Sequence, residues 1–183
     1  MSEELIIRHC SPTLAGLKTG SLFSCACGSK DELTAALRRL NRVLVPKGVC
    51  VIPLRVSNGR ALLYVYRRSG LKRDLIDKQA RSLLEKNGYM PEQADRCIMR
   101  LIERIGTSRE FPHEIGLFLS YPPEDVCAFI DNKACDHKCV GCWKVYGDVE
   151  AAWKTFAKFE KCARVYADCW QSGRSLDRLT VAG

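Results

Sequence analysis

The chain has 183 residues, of which 46% are apolar and 27% are charged, a composition typical of compact globular proteins. No apolar run approaches the roughly 20 residues that a transmembrane helix requires. The acidic start, residues 1–4, lacks the pattern of a signal peptide. We therefore expect a cytoplasmic protein without a membrane span. The formal net charge of +8 favours an anionic partner but does not identify it.

The chain contains eleven cysteines, a high count for its length. The number is odd and the predicted compartment is reducing, so a disulfide framework is disfavoured. We expect several of these thiols to be buried, because free cysteine packs readily into cores. The remaining ones are candidates for catalysis or metal binding.

The N-terminal segment predicts a strand, a short helix and a second strand. Residues 4–8 favour the first strand, and residues 21–25 favour the second. Between them Ser11 is a suitable N-cap, Pro12 suits the first helical position, and Gly20 supplies a stop. The helix is therefore expected to begin just after Cys10.

The next segment predicts a helix followed by a β-hairpin. Residues 31–44 place apolar side chains on one helical face: Leu33, Ala36, Leu37, Leu40 and Leu44. Residues 49–56 and 60–67 favour two strands, joined by an Asn58-Gly59 turn that accepts positive φ values. Pro53 indicates an edge strand or a bulge.

The rest of the chain is predicted to be helical. The expected helices cover residues 71–87, 91–105, 113–120, 124–132 and 148–171, with a cysteine-rich loop at 133–147. Mixed elements followed by helices alone favour an α+β fold, with a small, mainly antiparallel sheet, a central hairpin and a helical C-terminal half. We expect one globular domain over residues 1–171 and a frayed tail at 172–183.

His9 and Cys10 form the first candidate site. If the predicted helix begins after Cys10, its positive end stabilises a thiolate, which is both nucleophilic and a metal ligand. Lys18 would add positive charge or bind an anionic substrate. The alternative is a buried, inert cysteine.

Three stretches resemble a family of small bacterial proteins, mostly from anaerobes, that carry a domain of unknown function. They are His9–Lys18 (HCSPTLAGLK), residues 112–116 (PHEIG) with Tyr121-Pro122, and Gly141 with residues 143–146 (WKVY). Cys162 also resembles a family position. The resemblance covers nearly the whole chain and implies no established activity, but it indicates which polar residues to consider.

His113 and Glu114 form the second candidate site. A histidine can serve as general base to a thiol, and a carboxylate can orient it, as in a Cys-His-acid arrangement. Two of only three histidines fall in these motifs, which favours pairing His113 with Cys10. The alternative is that both residues only stabilise the start of a short helix.

The cysteine-rich loop is a candidate metal site. Cys135, His137, Cys139 and Cys142 offer four ligands within eight residues. Zinc suits such ligands, and an iron–sulfur cluster or haem is the alternative. Against a metal, the wrap is tight and no second C-x2-C motif occurs.

The segment after this loop is a candidate binding surface. Trp143 and Tyr146 could wall a pocket in which Lys144 binds an anionic group. The alternative is a hydrophobic staple before the helix that Asp148 caps.

Arg96, Arg100 and Arg104 recur every four residues on one helical face, with Arg109 beyond. Such a row could contact phosphates, but it is more often a solvated helix face, and no nucleic-acid-binding motif accompanies it.

We therefore expect a thiol-dependent enzyme or redox protein that uses Cys10 with His113 and Glu114 on a small anionic substrate. The alternatives are a metal- or haem-binding protein without catalysis and, more weakly, a basic nucleic-acid-binding module.

Overall fold

The computed structural model describes residues 2–107 and 110–183 and has an α+β fold. The chain divides into two compact units. Unit 1 comprises Met1–Gly70 with Lys161–Gly183, and unit 2 comprises Leu71–Glu160. Among the described residues, no helix combines the length and apolar character needed to cross a membrane.

The elements follow one another in chain order. The helices are α1 (Glu3–Leu14), α2 (Lys30–Leu44), α3 (Arg68–Leu75), α4 (Lys78–Lys86), α5 (Ala94–Thr107), α6 (Ile115–Phe118), α7 (Pro123–Asp131), α8 (Val149–Gln171) and α9 (Leu176–Leu179). The strands are β1 (Gly20–Ala26), β2 (Val49–Ser57), β3 (Arg60–Arg67), β4 (Cys139–Val140) and β5 (Lys144–Val145).

Unit 1 contains a three-stranded antiparallel sheet in the order β1-β3-β2. The predicted hairpin is confirmed, with Asn58 at φ 50° and Gly59 at φ 68° in its turn. The register shifts between Pro53 and Arg55 on the edge strand β2, as the proline indicated. The antiparallel sheet and its central hairpin were thus both predictable from local sequence.

Helix α2 is also confirmed. Ser29 and Glu32 form a capping box at its start, and the predicted apolar face is buried. The core of unit 1 joins this face to α1 and the sheet. Its fully buried members include Ile6, Cys10, Leu14, Leu44, Val49, Ala61, Leu63 and Val65.

The predicted start of the chain is wrong, because residues 4–8 belong to α1 rather than to a strand. Ile6, Ile7, Cys10 and Leu14 are buried at helical spacing, and this face outweighs the strand preference of a short apolar run. Pro12 lies inside the last turn and does not open a helix.

A buried arginine completes the end of α1. Arg67 Nε donates to Thr13 O at 2.6 Å, and its terminal nitrogen donates to Leu14 O at 2.5 Å. The guanidinium therefore satisfies carbonyl groups that the helix itself leaves unpaired, and its charge opposes the negative end of the helix dipole.

The C-terminal segment is packed, which differs from the frayed tail predicted for residues 172–183. Leu176 and Leu179 of α9 are buried in the core of unit 1. Val181 N donates to Leu14 O at 3.0 Å, and Lys47 pairs with Asp177 at 2.9 Å. The segment is mostly polar, but burial of its two leucines stabilises its packing against unit 1.

Unit 2 departs from the predicted boundaries in two places. The helix expected over residues 71–87 is divided into α3 and α4, because Asp77 caps a new helix by accepting from Gln79 N and Ala80 N. The helix expected from His113 is the four-residue α6. Asp148 caps α8 as predicted, accepting from Ala151 N at 3.0 Å.

A small core in unit 2 gathers around Trp143. Val145, Ala152 and Phe156 are buried with it, and Gly141 lies so close to the Phe156 ring that a Cβ there would overlap it at 2.1 Å. Trp153 is 53% exposed, and its ring meets that of Phe156 edge-on.

Candidate functional site

Cys10 lies in the interior of α1 and has no exposed surface. Burial raises the pKa of its thiol, and the nearby Lys18 ammonium and Ser21 hydroxyl lower it by less. The helix N-terminus predicted beside this thiol is wrong, because α1 begins at Glu3, two turns earlier. The side chain is thus a neutral thiol within the apolar core of unit 1.

His9 points away from this core. Its ring is exposed on α1 and stacks on Phe23, with ring centroids 5.0 Å apart and planes 12° apart. Partial burial, together with the charge of Arg8, lowers its pKa, so the imidazole is neutral at pH 7. Successive residues of α1 therefore hold His9 at the surface and Cys10 in the interior.

Glu114 is committed to contacts within unit 2. It is 3% exposed, accepts a hydrogen bond from Tyr89 Oη at 2.9 Å and pairs with Arg104 Nε at 2.6 Å. Burial and then Glu114 raise the pKa of Tyr89, which keeps the phenol protonated as a donor. The carboxylate that we predicted would orient His113 instead anchors the turn before α6.

His113 is exposed, and its ring meets Phe129 edge-on with centroids 5.0 Å apart. It lines a cavity of about 190 Å³ in unit 2. The full lining consists of His113, Ile115, Gly116, Tyr121, Asp125, Val126, Phe129, Trp143 and Lys144. The cavity therefore brings together residues from the PHEIG, Tyr-Pro and WKVY segments.

Asp125 fixes one wall of this cavity. It is 3% exposed, and its Oδ2 accepts from Trp143 Nε1 at 2.7 Å. Its Oδ1 accepts from the backbone N–H groups of Tyr146 and Gly147 at 2.7 and 2.8 Å. One buried carboxylate thus ties α7 to both ends of the WKVY segment, which sets the position of the indole.

Lys144 brings a positive charge to the cavity. Its Nζ donates to Ala134 O at 2.8 Å and lies 5.8 Å from the centre of the Phe129 ring. In the part of the chain that the structure describes, no carboxylate lies within ion-pairing distance of this ammonium. A half-buried charge beside an apolar cavity suits an anionic group on a ligand.

Tyr146 belongs to the same segment but does not line the cavity. Burial, followed by Cys135 and the nearby acids, raises the pKa of its phenol. Its ring lies edge-on to His137, with centroids 6.4 Å apart. Among the described residues, neither the Tyr146 hydroxyl nor His137 Nδ1 finds a hydrogen-bond partner, although both atoms are buried.

The predicted metal ligands lie in the segment before β5, where Cys139 belongs to strand β4. Cys135 and Cys142 are exposed, whereas Cys139 and His137 are half-buried. Among residues 2–107 and 110–183, no three His, Cys, Asp or Glu side chains are arranged to hold a metal ion. Zinc, iron–sulfur or haem binding here therefore stays a prediction without a preformed ligand cluster.

Two arginines of the predicted row pair with acidic side chains. Arg100 pairs with Glu103 at 2.8 Å, and Arg104 is the partner of the buried Glu114. Arg96 Nη1 donates to the sulfur of Met90 at 3.5 Å. Arg109 lies outside the described residues.

Sequence reasoning missed Asp125 and Phe129. An acidic residue in the first turn of a helix usually opposes the helix dipole, so Asp125 gave no sign of a buried role. Its partners are 18 to 22 residues away in the chain. Trp143 itself was a usable signal for Asp125, because a buried indole N–H needs a hydrogen-bond acceptor.

Fold and site together define an α+β protein with a small aromatic cavity between a short helical segment and a two-stranded hairpin. The chain belongs to the family described as protein of unknown function DUF3793, whose model matches residues 6–180. No curated protein and no solved structure matches it.

Proposed function

We propose that this protein binds a small molecule carrying an anionic group in the cavity of unit 2. The observation that carries the proposal is the meeting of three separate sequence segments at one cavity, with Lys144 as its cation. Small-molecule sites commonly combine apolar walls with a few polar groups that fix orientation. His113 also lines the cavity and adds ring nitrogens that can donate or accept a hydrogen bond.

The size of the cavity limits the ligand. A dry apolar cavity of roughly 150 Å³ accepts benzene, and the cavity of unit 2 measures about 190 Å³. The ligand part inside it should therefore be close to one ring in size, with the rest directed toward solvent past His113.

A change at Lys144 tests the proposal. Lys144→Met keeps the length of the side chain and removes its charge, so anionic ligands should bind about tenfold more weakly or worse, while neutral ligands are unaffected. Ligand-observed NMR with a library of small acids and neutral analogues measures this.

Lys154→Met is the matched control, because Lys154 is an exposed lysine that pairs with Glu150 on α8. This variant should bind like the wild type. If no library member binds, or if both variants weaken binding equally, the proposal is wrong.

The other functions predicted from the sequence stay predictions. Thiol chemistry at Cys10 requires the buried side chain to reach solvent, and mass-resolved alkylation with iodoacetamide tests it. The prediction fails if Cys10 reacts more slowly than the exposed Cys135 and Cys142.

Metal analysis of anaerobically purified protein tests metal or haem binding, and salt-dependent nucleic-acid binding tests the basic module. Eleven free thiols fit the predicted cytoplasmic location.

A further inference from the structure

The indole of Trp143 forms a rigid wall of the cavity. It stacks on Tyr121 with centroids 5.1 Å apart, meets Phe156 edge-on at 4.5 Å, and is bonded through Nε1 to Asp125. An aromatic surface held in this way is already organised before a ligand arrives, so stacking against it costs little conformational entropy.

Gly116 permits close packing within the lining of the cavity. A Cβ built there would lie 2.8 Å from Val126 Cγ2 and 3.1 Å from Tyr121 Cδ2. The missing side chain therefore lets Val126 and Tyr121 pack closely against the backbone at Gly116. The lining includes the aromatic rings of Tyr121, Phe129 and Trp143, and flat aromatic faces stack better on a flat ring than on a puckered one.

The charged groups favour a single negative charge. Lys144 is the cation of the lining, and one of its three N–H donors is used by Ala134 O. Asp125 adds a carboxylate to the same lining, although both its oxygens already accept hydrogen bonds. Lys144 can balance the single charge of a carboxylate, whereas the second charge of a phosphate dianion would be left to face the carboxylate of Asp125.

On the basis of the proposed function, on which this inference rests, we propose that the ligand is a carboxylate attached to a planar ring. Its ring lies among Trp143, Phe129 and Val126, and its carboxylate accepts a hydrogen bond from Lys144 Nζ. Lys144 Nζ lies over the Phe129 ring, 5.8 Å from its centre, so the cation and an aromatic wall of the cavity are adjacent.

Titration calorimetry of the full chain tests this with five probes: benzoate, cyclohexanecarboxylate, benzamide, acetate and inorganic phosphate. Benzoate should bind at least tenfold more tightly than each of the others. Lys144→Met should reduce benzoate binding to the level of benzamide, and Lys154→Met should leave it unchanged.

Each alternative result has a defined meaning. Equal binding of cyclohexanecarboxylate overturns the planar ring, and equal binding of benzamide or phosphate overturns the monovalent carboxylate. If none of the five binds but the library yields another ligand sensitive to Lys144→Met, this inference fails while the proposed function stands. If the library yields nothing, both fail.

Discussion

At the scale of single residues, Asp125 shows how one buried carboxylate can organise the wall of a cavity that it also lines. Its three hydrogen bonds reach an indole and two backbone N–H groups, all of them donors. Ionised carboxylate is an acceptor only, so it satisfies every one of these groups. The same requirement makes the position intolerant of an amide.

Asp125→Asn should therefore destabilise the protein by about 1–3 kcal/mol, because the new NH₂ group must face at least one N–H donor in a buried site. Urea denaturation measures the change. Asp148→Asn is the control, because Asp148 is an exposed N-cap and asparagine caps about as well as aspartate. An equal cost for the two variants would contradict the anchoring role of Asp125.

Cys10 gives the free energy of unfolding a defined pH dependence. A thiol in the unfolded chain ionises near pH 8.5, roughly its unperturbed pKa, whereas burial raises the pKa of Cys10 in the folded chain. Above this pH the unfolded state binds fewer protons than the folded state, so stability falls as the pH rises.

We expect wild-type protein to lose about 1 kcal/mol more than Cys10→Ala between about pH 8 and about pH 9.5. Urea titrations of both proteins at both pH values measure this difference. Comparing the two changes with pH cancels the constant cost of the side-chain atom that Cys10→Ala removes. Cys135→Ala, which removes an exposed thiol, is the matched control. If the stability of Cys10→Ala falls with pH as much as that of the wild type, the Cys10 thiol ionises equally in the folded and unfolded states.

At the scale of elements, local signals succeeded where the partners are neighbours in the chain. The Asn58-Gly59 turn and the α2 face depend on contacts a few residues apart. The start of α1 was misread because Ser11 and Pro12 resemble a helix start, while the evidence for a longer helix is burial against β1 and β3. The strands β4 and β5 are only two residues long, too short for any periodic pattern.

The sequence predicted some of the residues that line the cavity but not their arrangement. His113, Trp143 and Lys144 were named from the sequence, but their joint placement depends on Asp125 and on the close packing at Gly116. The hydrogen bonds of Asp125 reach residues 18 to 22 positions away in the chain, and no local pattern encodes them. The binding hypothesis was therefore reachable from the sequence, whereas the shape of the site was not.

The packing of α9 leads to a prediction of its own. Leu176→Ala should cost about 2–5 kcal/mol, since Leu176 is 1% exposed in the core of unit 1. Val181→Ala, at a side chain that is 53% exposed, should change stability by less than about 0.5 kcal/mol. Urea denaturation distinguishes the two. Equal and small effects of the two substitutions on stability would support the frayed tail that the sequence predicts for residues 172–183.

At the scale of the whole molecule, the sequence predicts one domain over residues 1–171. Leu44 in unit 1 and Leu101 in unit 2 are both fully buried. If the chain unfolds as one domain, Leu44→Ala or Leu101→Ala should each lower the protection of slowly exchanging amides in both units, by about 2–5 kcal/mol. Residue-resolved hydrogen exchange measures this. Losses confined to the mutated unit would identify two domains.

His113 and Glu114 are neighbours in the chain that face opposite ways, one toward solvent and one into the interior. The inner residue contacts Tyr89 and Arg104, whereas the outer one meets Phe129 at the surface. If the cavity binds a ligand as proposed, substitution of His113 would therefore change the surface that the ligand meets and leave the contacts of Glu114 in place.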